Sequence, residues 1–403
     1  MLNRIEKKVG LFLDARPSYG GAYQYNLLMA EAIASLPKDR YDVVAAYTHS
    51  DWVSRIKELN LTGMPVYLGL WKILKFKRIS GRLPVRFWRS ISPFFLGFVK
   101  SILAQQCDLW IFPSQDTWTY LMPVPALVTI YDLMHRYERR FPEVSAFGRY
   151  SIRERHFKKT CQWAKGILVD SEIGKQHVIE SYKFGADQVH VLPYVAPKYI
   201  NAENVPNGFD EHYRLPEKFL FYPAQFWLHK NHQNLLLALR ALSDRFSDMN
   251  LVLSGAPKNG YSSVQKMVRS LCLEDRVKVL SYIPDEDIME IYRRARALIM
   301  PSYFGPTNIP PLEAAFLGCP MAISDIYGAR DQMGEAALYF DPSSPFEISY
   351  CIEKLWTDNE LCKVLIERGY QLSQKYNQSK YNKTLLEIIE KMLSNQAQDN
   401  NDF

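Results

Sequence analysis

The sequence predicts an α/β protein made of two doubly wound, Rossmann-like domains that face each other across a cleft. Three observations carry this. Short apolar runs alternate with amphipathic stretches along the chain, the pattern of parallel sheets covered on both faces. One polar, proline-rich break divides the alternation into two series. The length, 403 residues with 47% hydrophobic and 23% charged residues, suits two ordinary globular domains and excludes disordered, fibrous and disulfide-stapled classes.

The first series of strand-like runs is Val9–Asp14, Tyr41–Thr48, Leu109–Pro113, Ala126–Asp132, Gly166–Ser171 and Val189–Leu192. The second is Phe219–Pro223, Asn250–Ser254, Val277–Leu280, Leu298–Pro301 and Pro320–Ser324. Helical stretches lie between most of them. In Asn234–Ser247, for example, Leu235, Leu236, Leu239 and Leu242 fall on one face. Residues 198–216 read as a linker, because they are polar and have no periodicity. The expected domains are therefore 1–197 and 217–370, followed by a helix within 371–403 returning to the first domain and a frayed polar end. Ligands of such sheets bind beyond the carboxyl ends of the strands.

The net charge of +6 is too small to argue for nucleic acid, and no nucleic-acid motif is present. The six cysteines have no metal-site spacing and read as reduced thiols. The N-terminus lacks a signal-type apolar region, and no apolar run reaches ~18 residues, so the expectation is a cytoplasmic protein without a membrane span. No G-x-G-x-x-G follows a strand and no Walker loop exists, which weighs against nicotinamide and P-loop enzymes.

Five segments could carry chemistry. Gly20-Gly21, just after the first strand, lets backbone N–H groups approach a phosphate or sugar, or is simply a tight turn. Tyr131-Asp132-Leu133-Met134-His135 follows a strand end, where active-site groups sit. There Asp132 could cap the next turn, and His135 could be an acid/base, a sugar ligand or a structural histidine. Lys230 stands at a helix start in the second domain, a position costing ~0.3–1 kcal/mol. Such a cost points to a bound anion, diphosphate above all, with a solvated lysine as the alternative. Pro310-Pro311 suits the first positions of a helix, leaving Thr307, Asn308 and Ile309 to present N–H groups and Glu313 in the first turn. Glu313 could cap that helix or accept two ribose hydroxyls, each charged bond worth ~1.5–3 kcal/mol.

The fifth segment, Asn60–Cys107, contains no Asp or Glu. It carries Lys72, Lys75, Lys77, Arg78, Arg82, Arg86, Arg89 and Lys100 among large aromatics that include Trp88. Cations mixed with aromatics suit an anionic membrane surface, at ~1 kcal/mol per charge. A solvated basic face over a core helix is the alternative.

Taken together these segments resemble the family-4 retaining glycosyltransferases of the GT-B fold. The signature runs in order through Met300-Pro301-Ser302, Pro310-x-Leu312-Glu313-Ala314, Gly318-Cys319-Pro320, Ser324-Asp325, Gly334-Glu335-Ala336-Ala337-Leu338 and Asp341-Pro342. The runs Ile167–Glu172 with Lys175, and His190–Pro193, resemble the end of the family's first domain. The resemblance implies a nucleoside diphosphate sugar as donor and no essential metal. It places Lys230 on the diphosphate, Glu313 on the ribose and Gly20-Gly21 near the diphosphate and the reacting sugar. Thr307, Asn308 and Ile309 then meet sugar and phosphate through their backbone, and Tyr282 and Ile283 contact the nucleobase.

Three positions depart from the family pattern. Gln225 stands where an Arg is usual, Gly305 where the first signature glutamate is usual, and Tyr131 where a His is usual. The expected activity is retaining transfer of a hexose, mannose by preference, to a lipid-linked or oligosaccharide acceptor in polysaccharide, O-antigen or capsule assembly at the inner face of a bacterial membrane. A non-catalytic sugar-nucleotide-binding protein and an epimerase of the same fold are the alternatives.

Overall fold

The computed structural model describes residues 7–66, 84–196, 208–281, 283–305 and 308–399. Contacts divide the chain into two units. One comprises residues 1–133, 150–193 and 378–403, the other residues 134–149 and 194–377.

The first unit holds a parallel seven-stranded sheet of β1 (Lys7–Leu13), β2 (Tyr41–Tyr47), β3 (Thr62–Pro65), β4 (Leu109–Phe112), β5 (Ala126–Thr129), β6 (Gly166–Val169) and β7 (Val189–Val191), in the order β3-β2-β1-β4-β5-β6-β7. Val9, Leu11, Phe12 and Leu13 of central β1 are completely buried. Gly10 pairs in register with Trp110 of β4, whose ring occupies the space where a side chain at position 10 would stand. The helix Gln378–Asp399 belongs to this unit. It buries Tyr381, Leu385, Ile389 and Met392, a spacing of three to four residues that forms one helical face. Met392 fills the space over Gly166 at the start of β6, and Arg40 pairs with Glu390 at 2.7 Å.

The second unit holds a parallel six-stranded sheet of β8 (Phe219–Pro223), β9 (Asn250–Ser254), β10 (Val277–Leu280), β11 (Ala297–Met300), β12 (Met321–Ser324) and β13 (Leu338–Phe340), in the order β10-β9-β8-β11-β12-β13. The helix His232–Ser243 buries Leu235, Leu236, Leu239 and Leu242, the face anticipated from their spacing. Within the stretch read as linker, Phe209–Tyr213 form a short helix. Its two terminal aromatics lie on one face and are buried in the second unit's core.

Each strand-like run in the sequence became a strand. The two strands that sequence patterning missed, β3 and β13, are sheet edges; one contains Gly63 and Pro65, and the other is only three residues long. None of the six cysteines forms a disulfide, and four of them are buried. Among the described residues no helix is long and apolar enough to cross a membrane.

A methyl group at position 10 would lie within 2.3–2.5 Å of the Trp110 indole. Overpacking of this kind costs about 1–3 kcal/mol. Gly10→Ala is therefore expected to lower the melting temperature in thermal unfolding by several degrees. An unchanged value would mean that the indole can move aside.

Candidate functional site

In the second unit successive strands run outward from β8 to β10 on one side and from β11 to β13 on the other. The loops after β8 and β11 therefore diverge, and a crevice opens at this switch point. Lys230 and Glu313 come from those two connections.

Lys230 ends a 3-10 turn, Leu228–Lys230, that follows β8. Its N–H donates to the Trp227 carbonyl at 3.1 Å, and its own carbonyl accepts the Tyr222 hydroxyl at 2.9 Å. Asn231 comes next at φ +58°, a left-handed conformation that asparagine tolerates better than most residues. Its buried amide donates to the carbonyls of Pro301 at 2.9 Å and Pro342 at 2.7 Å. Asn234 adds a second bond to Pro342, at 2.8 Å, and one to the Tyr303 hydroxyl, at 3.0 Å. The backbone of Lys230 is thus fixed against the loops after β11 and β13.

His229 precedes Lys230 and is pinned by a residue distant in the chain. Glu143 Oε1 accepts from His229 N at 3.0 Å and lies 2.5 Å from His229 Nδ1. Glu143 Oε2 accepts from Asn259 Nδ2 at 3.0 Å, and Asn259 Oδ1 accepts from Leu228 N at 3.2 Å. Burial alone would raise the Glu143 pKa, but the bonds from His229 and Asn259 outweigh it and hold the carboxyl down at about 2.

Glu313 is 5% exposed, and its Oε2 accepts the hydroxyl of fully buried Tyr292 at 2.7 Å. The helix Ile309–Phe316 begins one residue before the proline pair and has no acidic residue in its first turn. Glu313 is therefore beyond capping reach, contrary to the sequence reading. The Asn308 N–H is not free either, because it donates to Gln332 Oε1 at 3.0 Å. The Asn308 side chain in turn donates to the Gly305 carbonyl at 3.0 Å.

Gly305 adopts φ +126°, a region open to glycine and costly for other residues. An added Cβ would meet the Asn308 amide at 2.8–2.9 Å. Gln225 gives its side-chain oxygen to the Trp227 indole N–H at 3.0 Å. Ile283 is buried in the core. Tyr282 and Thr307 lie outside the described residues.

In the first unit, β1 and β4 form the corresponding switch point. Gly20 sits beyond β1 at φ +60°, ψ −124°, again a glycine conformation. It precedes the helix Gly21–Ala34, and its carbonyl accepts the N–H groups of Tyr23 and Gln24. The Tyr131 hydroxyl donates to the Pro113 carbonyl, beyond β4, at 2.5 Å. Burial and the neighbouring Tyr25 push its pKa well above the usual phenol value, so this hydroxyl is a neutral donor. The Asp132 carboxylate pairs with Arg153 at 3.0 Å. His135 is fully buried and groups with the second unit, apart from Tyr131 and Asp132.

Of the basic-aromatic segment, Lys72, Lys75, Lys77, Arg78 and Arg82 lie outside the described residues. Arg86 is exposed. Trp88 and Arg89 are not part of a solvent face. Trp88 is 5% exposed and sits in the core, while the Arg89 guanidinium donates to the Met122 carbonyl at 2.6 Å and covers the Trp163 ring. Besides Arg86, the helix Val85–Phe95 presents Phe87, Phe94 and Phe95 to solvent, the last two 86% and 69% exposed.

The chain is similar to known glycosyltransferases. Residues 209–372 match the family model described as "Glycosyl transferases group 1". The O-antigen chain mannosyltransferase B of Escherichia coli is 26% identical over 264 residues, 61% of this chain and 68% of that protein. The O-antigen chain mannosyltransferase RfbU of Salmonella typhimurium is 25% identical over 185 residues, 46% of this chain and about half of that protein. The crystal structure of Anabaena Alr3699/HepE in complex with UDP and glucose superimposes with a TM-score of 0.72 at 15% identity, covering 96% of this chain and 100% of that one.

His232, at the start of the helix behind Lys230, is 2% exposed and stacked on Phe226. Burial, followed by the charge of Lys230, lowers its pKa from 6.5 to about 3. The unfolded chain then binds more protons between these values, so His232 contributes stability that is full above pH ~6.5 and lost as pH falls toward 3. Thermal unfolding of His232→Phe should show a flatter loss of stability between pH 7 and 4 than the unaltered protein. Identical slopes would refute the assignment.

Proposed function

We propose that this chain, a GT-B-fold glycosyltransferase-like protein, transfers a hexose from a nucleoside diphosphate sugar to a lipid-linked or oligosaccharide acceptor with retention at the anomeric carbon. The observation that carries the reading is the placement of Lys230 and Glu313 on the two connections that diverge at one switch point. There Lys230 neutralises charge developing on the departing diphosphate, and the N-terminus of the helix Ile309–Phe316 adds its dipole. Glu313, already oriented by Tyr292, accepts the ribose hydroxyls. The O-antigen mannosyltransferases among the relatives favour mannose as the sugar and cell-surface polysaccharide as the product.

The acceptor side of the proposal is an anionic membrane surface. Phe94 and Phe95 extend from a stretch of sequence without a single acidic residue, with Arg86 and Lys100 exposed beside them in the chain. Exposed aromatics flanked by cations suit the bilayer interface.

Three experiments test the reading. Thermal unfolding with GDP-, UDP- and dTDP-sugars should show stabilisation by one of them, about 2.7 kcal/mol at ~100 times the dissociation constant. Lys230→Ala should abolish that stabilisation and cut turnover while the fold persists; full activity would refute the diphosphate site. Replacing Phe94 and Phe95 by Ser should weaken binding to vesicles containing anionic lipid, measured by co-sedimentation. Undiminished binding would remove this corner from the membrane surface.

A further inference from the structure

We propose that Glu143 is the positioning residue for Lys230, and that through His229 it also holds the loop leading to Gly305. The proposal rests on the reading of Lys230 as the diphosphate-binding cation.

Glu143 lies on the short helix Pro142–Ser145, 86 residues before His229. Both side chains are buried, at 7% and 9% exposure. One carboxylate oxygen holds the backbone N–H and the ring of the residue immediately before Lys230. The other oxygen holds Asn259, which in turn holds Leu228 at the opening of the same turn. A three-residue 3-10 turn has little stiffness of its own. This one is anchored at its first and second residues by a single carboxylate, and at its third by the Tyr222 hydroxyl.

The same histidine reaches the neighbouring loop. Its carbonyl accepts the Tyr303 N–H at 2.8 Å, and its ring centroid lies 4.0 Å from that of Phe304. Phe141, two residues before Glu143, packs 5.3 Å from the Tyr303 ring. Arg140 covers that ring from 4.2 Å. Residues 140–143 therefore join the loop that carries Lys230 to the loop that precedes the helix of Glu313. A bare carboxylate beside a diphosphate site would repel its ligand. Here the carboxylate is engaged by the His229 backbone N–H and ring and by the Asn259 amide, so it can fix the loop.

The test is titration calorimetry of GDP, UDP and dTDP and of the corresponding nucleosides, on the full chain. The diphosphate that binds the unaltered protein is compared with its nucleoside. Lys230→Ala should erase the preference for diphosphate over nucleoside. Glu143→Ala should weaken diphosphate binding roughly tenfold, leave nucleoside binding unchanged, and add little in the Lys230→Ala background, since the two act as one unit. Glu143→Gln, close in shape, carries the same comparison where the alanine variant does not fold.

Equal weakening of diphosphate and nucleoside, full additivity with Lys230→Ala, or unchanged binding by both Glu143 variants would overturn the positioning role alone. A Lys230→Ala protein that keeps its diphosphate preference would overturn the underlying site reading instead, as would an unaltered protein that binds none of the three diphosphates.

Discussion

The loops at the strand ends of the second unit depend on one buried side-chain amide. Asn231 donates both amide hydrogens to proline carbonyls, those of Pro301 and Pro342. Three loops, after β8, β11 and β13, are held by that group. A side chain without these donors would leave the buried Pro301 carbonyl unsatisfied, at about 1–3 kcal/mol, and would leave Pro342 with Asn234 alone. The backbone adds a second restriction, since position 231 needs a left-handed conformation and also begins the helix His232–Ser243. Few residue types meet both conditions. A proline carbonyl is a suitable partner because proline has no N–H of its own and cannot continue a regular ladder at that point.

Much of this was legible in the chain. Buried parallel strands read as continuous apolar runs, and the central strands of both sheets stand out for that reason. The edge strands β3 and β13 do not, because an edge needs neither a long run nor uniform burial. In the sequence Lys230 stands out by its place at a helix start, and Glu313 by the order of the signature around it. Glu143 does not. Its significance lies in a pairing across 86 residues and in burial beside His229, and neither leaves a local pattern. The proline pair at the first positions of the helix Ile309–Phe316 was readable, whereas the two bonds by which Gln332 holds the N–H and the carbonyl of Asn308 were not.

The three positions that depart from the pattern the sequence resembles share a physical feature. Each substituted residue is engaged in local structure. Gln225 orients Trp227, Tyr131 ties the end of β5 to the end of β4, and the Gly305 carbonyl accepts the Asn308 side-chain amide. The last case is the clearest. At φ +126° the position is shaped for glycine, and a Cβ there would meet the Asn308 amide at 2.8–2.9 Å.

The interleaving of the units has a consequence for synthesis. The first unit contains residues 378–403, and the second contains residues 134–149. A ribosome makes the second unit's early piece before the rest of that unit exists, and then the long stretch 194–377 before the helix that covers Gly166. At about 5–20 residues per second, the seven-stranded sheet waits on the order of ten to forty seconds with the position of Met392 still empty. The apolar surface around β6 is exposed throughout that interval, and it is there that a nascent-chain chaperone would have most to protect.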